Sequence, residues 1–143
     1  MKKIFFGVAM VVLALGFTSC SSDDDVVVAD PMVGVWKAET VSYTFGGETH
    51  TFPYNIAGGP FEGCEVDFLT LSNDNSASLL EHIKNDANVC EDVTSIGSWT
   101  DEIVNVKDTD RIVDALSETT LTLTYPIVFY GQSLPITVNY SKQ

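Results

Sequence analysis

The sequence predicts an all-β protein, an antiparallel up-and-down barrel of about eight to nine strands. Three observations carry this. Beyond residue 30 the chain is rich in Val, Ile, Thr, Tyr and Phe, broken at short intervals by Gly, Asn, Asp, Ser and Pro, the composition of short strands joined by turns. Apolar residues alternate with polar ones at Leu121, Leu123 and Tyr125, and again at Ile136, Val138 and Tyr140, as in strands with one buried face. No long helical period is present, and the connections are mostly short and local, which favours a meander over a Greek key. So many sequential strands must hide their edges: closure into a barrel removes them, whereas a sandwich leaves some exposed.

The elements follow in order. The first strand begins near Val33. Trp36 and Ala38 share one parity, and Val41, Tyr43 and Phe45 share the other, so a bulge near 39–40 is needed to put both sets on the core face. Gly46-Gly47 then reads as a two-residue hairpin turn, because glycine takes positive φ freely. The return strand, 48–54, offers Phe52 and Tyr54. Residues 55–63 form a loop containing Gly58-Gly59-Pro60 and Gly63 and carrying an exposed Phe61. Strand three covers about 65–71, a turn lies at 72–75, and strand four covers about 76–83. A polar loop over 84–92 holds Cys90. The remaining strands cover about 94–100, 103–107, 111–116, 119–125 and 135–140.

The N-terminal region follows a different logic. Lys2 and Lys3 precede an apolar run from Ile4 to Phe17, followed by Thr18-Ser19-Cys20-Ser21-Ser22-Asp23-Asp24-Asp25. The run is short of the roughly 20 apolar residues that cross a bilayer and suits the apolar region of a signal peptide. The segment resembles a bacterial lipoprotein leader: Thr18-Ser19-Cys20 matches the end of the lipobox, with Phe17 where Leu is usual. The resemblance implies that residues 1–19 are removed and that Cys20 is lipidated and becomes the N-terminus. Acyl chains then supply the anchor, at about 0.8 kcal/mol per buried CH₂. Residues 20–30 read as an acidic flexible tether, and 31–143 as one folded domain. An acidic cluster after the lipidated cysteine also resembles a surface-export signal. The expected location is therefore the outer membrane of a Gram-negative bacterium, surface-exposed, with a periplasm-facing orientation as the alternative.

Charge and cysteines narrow the chemistry. The whole chain carries a formal net charge of −13. Removing residues 1–19 takes away Lys2 and Lys3, leaving five basic against twenty acidic residues, a net of −15. Such a surface argues against nucleic acid, whose binding needs cations against phosphate, and against electrostatic attachment to anionic membrane. Cys64 and Cys90 remain beside Cys20, and in an oxidising compartment they are expected to pair as a disulfide. Closing that loop stabilises the fold by about 3.5 kcal/mol in the chain-entropy model. A metal site would need Cys or His at tight spacing; the chain has only His50 and His82, neither near a cysteine in sequence, so neither a metal nor another cofactor is expected.

Several motifs in order resemble the lipocalin-like domain of small bacterial lipoproteins. They are Val33-Gly34-Val35-Trp36-Lys37, Cys64 ahead of Phe68-Leu69-Thr70-Leu71, the turn Asn73-Asp74-Asn75, Cys90 ahead of Gly97-Ser98-Trp99, 116–123, and the closing Val138-Asn139-Tyr140. The resemblance spans nearly all of 31–142 and implies a lipocalin-like antiparallel barrel, leaving the ligand open. Asn75 stands where the family usually has Gly, a position that then needs positive φ.

Two functions are weighed equally. In the first, the interior takes one small hydrophobic ligand, and Tyr43, Phe52, Tyr54 and Phe61 are the candidate lining, although strand alternation also makes Tyr43 and Phe45 core residues. In the second, the domain is a non-catalytic surface module docking to an envelope protein or a glycan. Catalysis is not expected. No Gly-x-Ser-x-Gly, His-Glu-x-x-His or phosphate loop occurs, His50 and His82 read as surface residues, and the paired acids Glu91-Asp92 and Asp101-Glu102 read as solvated turns.

Overall fold

The structure, a computed structural model, describes residues 29–56 and 61–143; the leader and the proposed lipidation at Cys20 lie outside them. Nine strands follow one another: β1 (Gly34–Phe45), β2 (Glu48–Pro53), β3 (Phe68–Leu71), β4 (Ser76–Lys84), β5 (Cys90–Trp99), β6 (Ile103–Val106), β7 (Thr109–Leu116), β8 (Thr120–Phe129) and β9 (Gln132–Lys142). All pairings are antiparallel, and from β3 to β9 each strand pairs with its predecessor before β9 returns to β1. The result is a closed eight-stranded barrel with β2 as an extra strand.

β1 makes this possible by being long. Along one edge it pairs with β9, from Trp36↔Lys142 to Tyr43↔Ile136. Its other edge is shared end to end: Gly34–Lys37 pair with β3, and Thr40–Phe45 pair with β2. Between them Ala38 N–H donates to the Asp67 carbonyl at 3.1 Å and Tyr54 N–H donates to the Glu39 carbonyl at 3.0 Å, so the ladder continues through the changeover. The bulge expected near 39–40 is there, as a register shift between Ala38 and Thr40. It turns Trp36, Ala38 and Val41 all inward.

Three hairpins turn on two residues at positive φ: Gly46-Gly47, Lys107-Asp108 and Tyr130-Gly131. Asn75 has φ 64°, the conformation its place in the turn demands. β8 and β9 are longer than the alternation predicts. Pro126 and Pro135, at the edges of the expected ranges 119–125 and 135–140, oppose one another on a single rung. The missing N–H groups are thus confined to one place, and the ladder resumes to Phe129↔Gln132. Cys90 opens β5 rather than lying in a loop, and Glu91-Asp92 are strand residues, not turn residues.

The barrel has two unlike ends. At the terminal end, where residue 29 enters and Gln143 leaves, the interior is apolar: Met32, Trp36, Leu69, Leu71, Trp99 and Leu121 are buried together. The indole N–H groups, which must find acceptors when buried, reach backbone carbonyls: Trp36 to Met32 at 2.8 Å and Trp99 to Ser72 at 3.0 Å. Lys142 lies over the Trp36 ring, 4.9 Å from its centroid, and donates to the Pro31 carbonyl. At the distal end lie the three positive-φ hairpins, the 85–89 turn and residues 54–56 and 61–67. Phe45 is a correction to the sequence expectation. It follows core parity but is 70 % exposed, because β9 pairing stops at Tyr43 and Phe45 stands beyond the rim.

Candidate ligand site

The distal half of the interior is built from alternate residues of several strands and from one segment that is not a strand. β8 contributes Tyr125, β9 Ile136, and β7 Arg111, which is 5 % exposed; Tyr140, on the Leu121 rung nearer the terminal end, interacts through its hydroxyl with Tyr125. Residues 54–56 and 61–67 add Tyr54 and Asp67, both buried, and Phe61, half-buried. This segment is held at its far side by the Cys64–Cys90 disulfide, with Cα atoms 5.8 Å apart. Cys64 N–H donates to the His82 carbonyl at 3.2 Å. Gly63 permits that approach, since a Cβ there would stand 2.2 Å from the same carbonyl oxygen.

Of the four predicted residues, the structure brings together two pairs. Tyr54 and Phe61 stack with ring centroids 4.6 Å apart. Tyr43 and Phe52 stack at 5.9 Å, with His50 beside both rings. Tyr54 belongs to the core and the other three pack against it, so Phe61 is not the exposed loop residue that its glycine-rich surroundings suggest. On the rim, Tyr43 and His50 line a cleft of about 310 Å³ with Phe45, Phe129, Tyr130 and Leu134.

The polar groups of the interior escaped the sequence reading. Tyr54 hydroxyl donates to Asp67 Oδ2 at 3.0 Å, and His82 backbone N–H donates to Asp67 Oδ1 at 2.9 Å. Burial pushes the Asp67 carboxyl above its usual 3.8, against the lowering effect of those two hydrogen bonds. Burial likewise raises the hydroxyls of Tyr54, Tyr125 and Tyr140 above the usual phenol range, those of Tyr54 and Tyr140 well above it. All three remain protonated donors at any physiological pH. Glu81 pairs with Lys107 at 2.7 Å across the rim. Arg111 lies over the Tyr125 ring, 4.4 Å from its centroid, and its Nε is buried without a partner.

His82 is a second correction. It is 9 % exposed, not a surface residue, because Phe68 meets its ring edge-on at 6.1 Å and the disulfide-held segment crosses beside it. Its ring nitrogens stand 4.0 Å from Asp67 and 3.8 Å from Asp92. Among the described residues, no group of three or more His, Cys, Asp or Glu is placed to hold a metal.

No protein-family model matches the chain. No curated protein matches its sequence. Solved structures do match its fold. A bovine odorant-binding protein, a deswapped triple mutant, has TM-score 0.52 at 18% identity, over 80% of this chain and 75% of its own. The bovine lipocalin allergen Bos d 2 has TM-score 0.52 at 15% identity, over 79% and 73%. The siderocalin Ex-FABP, described as functioning through dual ligand specificities, has TM-score 0.50 at 10% identity, over 80% and 75%. The fold is therefore lipocalin-like.

Proposed function

We propose that this protein is a lipid-anchored envelope protein that binds one small, largely apolar ligand in the distal half of its barrel, without catalysis. The observation that carries the reading is the make-up of that half. A closed wall surrounds aromatic side chains, and a disulfide-held segment lays the Tyr54–Phe61 pair against it. Rings of this kind offer large apolar contact at low conformational cost. The fold is shared with an odorant-binding protein solved with a selenium-containing odorant.

The test uses the chain from Ser21 onward, since every core residue lies between Met32 and Tyr140. Titration with the neutral fluorophore N-phenyl-1-naphthylamine is expected to saturate at one site, and Phe61→Ala to weaken it. A linear, unsaturable rise would refute the reading. Anchorage is tested separately: an alkyne-tagged fatty acid is expected to label the full chain in cells and to leave Cys20→Ser unlabelled.

One observation favours the alternative of docking to an envelope protein or glycan. Phe45, Val128 and Tyr130 are 70, 78 and 91 % exposed on the distal rim, more apolar surface than a solvated hairpin tip needs. Loss of co-purifying envelope components in a Phe45→Ser, Tyr130→Ser double variant, with fluorophore binding intact, would favour that role.

A further inference from the structure

We infer that Arg111 is an anion-recognition element, so that the ligand is amphipathic: an apolar tail with a single anionic head, a carboxylate or a phosphate monoester. The inference rests on the ligand-binding reading above and sharpens its substrate class. Arg111 is the only arginine in the chain. The register Val104↔Arg111 puts it on the inward parity of β7, and it is 5 % exposed. A guanidinium cannot shed its proton to relieve burial, and an ionised group taken from water without a counter-charge is costly.

The other charges of the interior are answered. Asp67 accepts hydrogen bonds from Tyr54 and His82, and Glu81 is paired with Lys107. Arg111 is not: among the described residues no carboxylate lies within ion-pairing distance of it, and its Nε has no acceptor. The Tyr125 ring compensates the face of the guanidinium but leaves the buried Nε–H without an acceptor. The Tyr140 hydroxyl lies in the same neighbourhood, interacting with Arg111 and with the Tyr125 hydroxyl. A buried cation with an unanswered N–H, beside a protonated phenol, forms one half of a charge-assisted hydrogen-bond set. The missing half is a compact anion with several acceptor oxygens. The net negative chain repels anions at long range, so this inward cation acts in selection, not in capture.

The experiment titrates the chain from Ser21 onward with three probes sharing one dansylated undecyl tail: the carboxylic acid, its methyl ester and the alkyl phosphate. The expected result is an affinity for at least one anionic probe about tenfold or more above that of the ester, the scale of a charge-assisted hydrogen bond. Whether acid or phosphate binds more tightly identifies the head. Arg111→Gln is expected to bring the anionic probes down to the affinity of the ester, and Arg111→Lys to keep part of the preference. If Arg111→Gln does not give a folded circular-dichroism spectrum, Tyr140→Phe serves in its place, with a severalfold loss for the anionic probe alone. Equal saturable binding of all three probes overturns the inference and leaves the ligand-binding reading standing. An anion preference that survives in folded Arg111→Gln also overturns it. Absence of saturable binding for every probe removes both.

Discussion

The terminal and distal halves of the barrel share one wall but differ in what the wall encloses. At the terminal end the interior is apolar, and its polar atoms, the two indole N–H groups, reach backbone carbonyls. At the distal end Arg111 and Tyr125 on the strands, with Tyr54 and Asp67 from the adjoining segment, put charged and polar groups into the interior, and some polar atoms there have no partner. A β-wall needs burial to close, and one well-packed half can supply enough of it to let the other half carry groups that cost stability. The groups on which the proposed binding rests then sit in the half the fold can spare.

The largest expected effect tests that division from the packed side. Trp36→Ala should cost about 3–5 kcal/mol, as large aromatic truncations in cores do, read as a lower urea midpoint. A cost near zero would mean the terminal end is not the anchor of the fold. The paired change Cys64→Ser, Cys90→Ser should cost about 3.5 kcal/mol through restored freedom of the unfolded chain. It should also raise hydrogen exchange in 61–67 while β6 to β9 stay protected, which separates the distal segment from the wall. Tyr54→Phe should cost about 1–3 kcal/mol, because it leaves the Asp67 carboxylate buried with one hydrogen bond fewer.

The subtlest effect is in pH. Burial holds the Asp67 pKa above 3.8, so over that interval the native state binds a proton that the unfolded chain has released. Asp67 therefore contributes stability at low pH that is lost as pH rises from about 3.8 through its raised pKa. Glu39 acts in the opposite sense: its hydrogen bonds with Ser141 and Lys37 lower its pKa from 4.5, so its contribution is lost as pH falls. Urea midpoints of wild type and Asp67→Asn, compared across the acid range, isolate the first term. The variant should gain relative to wild type as pH rises, and a constant difference would contradict the assignment.

The fold was legible because each device behind it is local. Alternation at Leu121–Tyr125 and Ile136–Tyr140, the parity break at 39–40 and Gly46-Gly47 each announce themselves within a few residues. Turns built on Lys107-Asp108 and Tyr130-Gly131 were less legible, since Lys107 and Tyr130 carry little preference for positive φ. Tyr54 and Phe61 could be singled out in sequence, but the polar groups they meet could not. Arg111 reads in sequence as an ordinary polar residue opening a strand, and His82 as a surface histidine. Their burial depends on Tyr125 and on the crossing 61–67 segment, which sequence spacing does not reveal. One signal was available: a lone arginine in an otherwise lysine-bearing, acidic chain.

The β1–β9 seam has a consequence for how the molecule forms. From β3 to β9 each neighbour is also the preceding strand, so hairpins can zip up in microseconds one after another. The seam instead joins Asn139 to Thr40 across 99 positions and Ser141 to Glu39 across 102, and that loop entropy must be spent before the contacts repay it. The ring therefore clasps last. Until it does, the nascent sheet presents two raw edges open to any other strand, so the danger of mispairing in this chain is concentrated in the interval before its first strand meets its last.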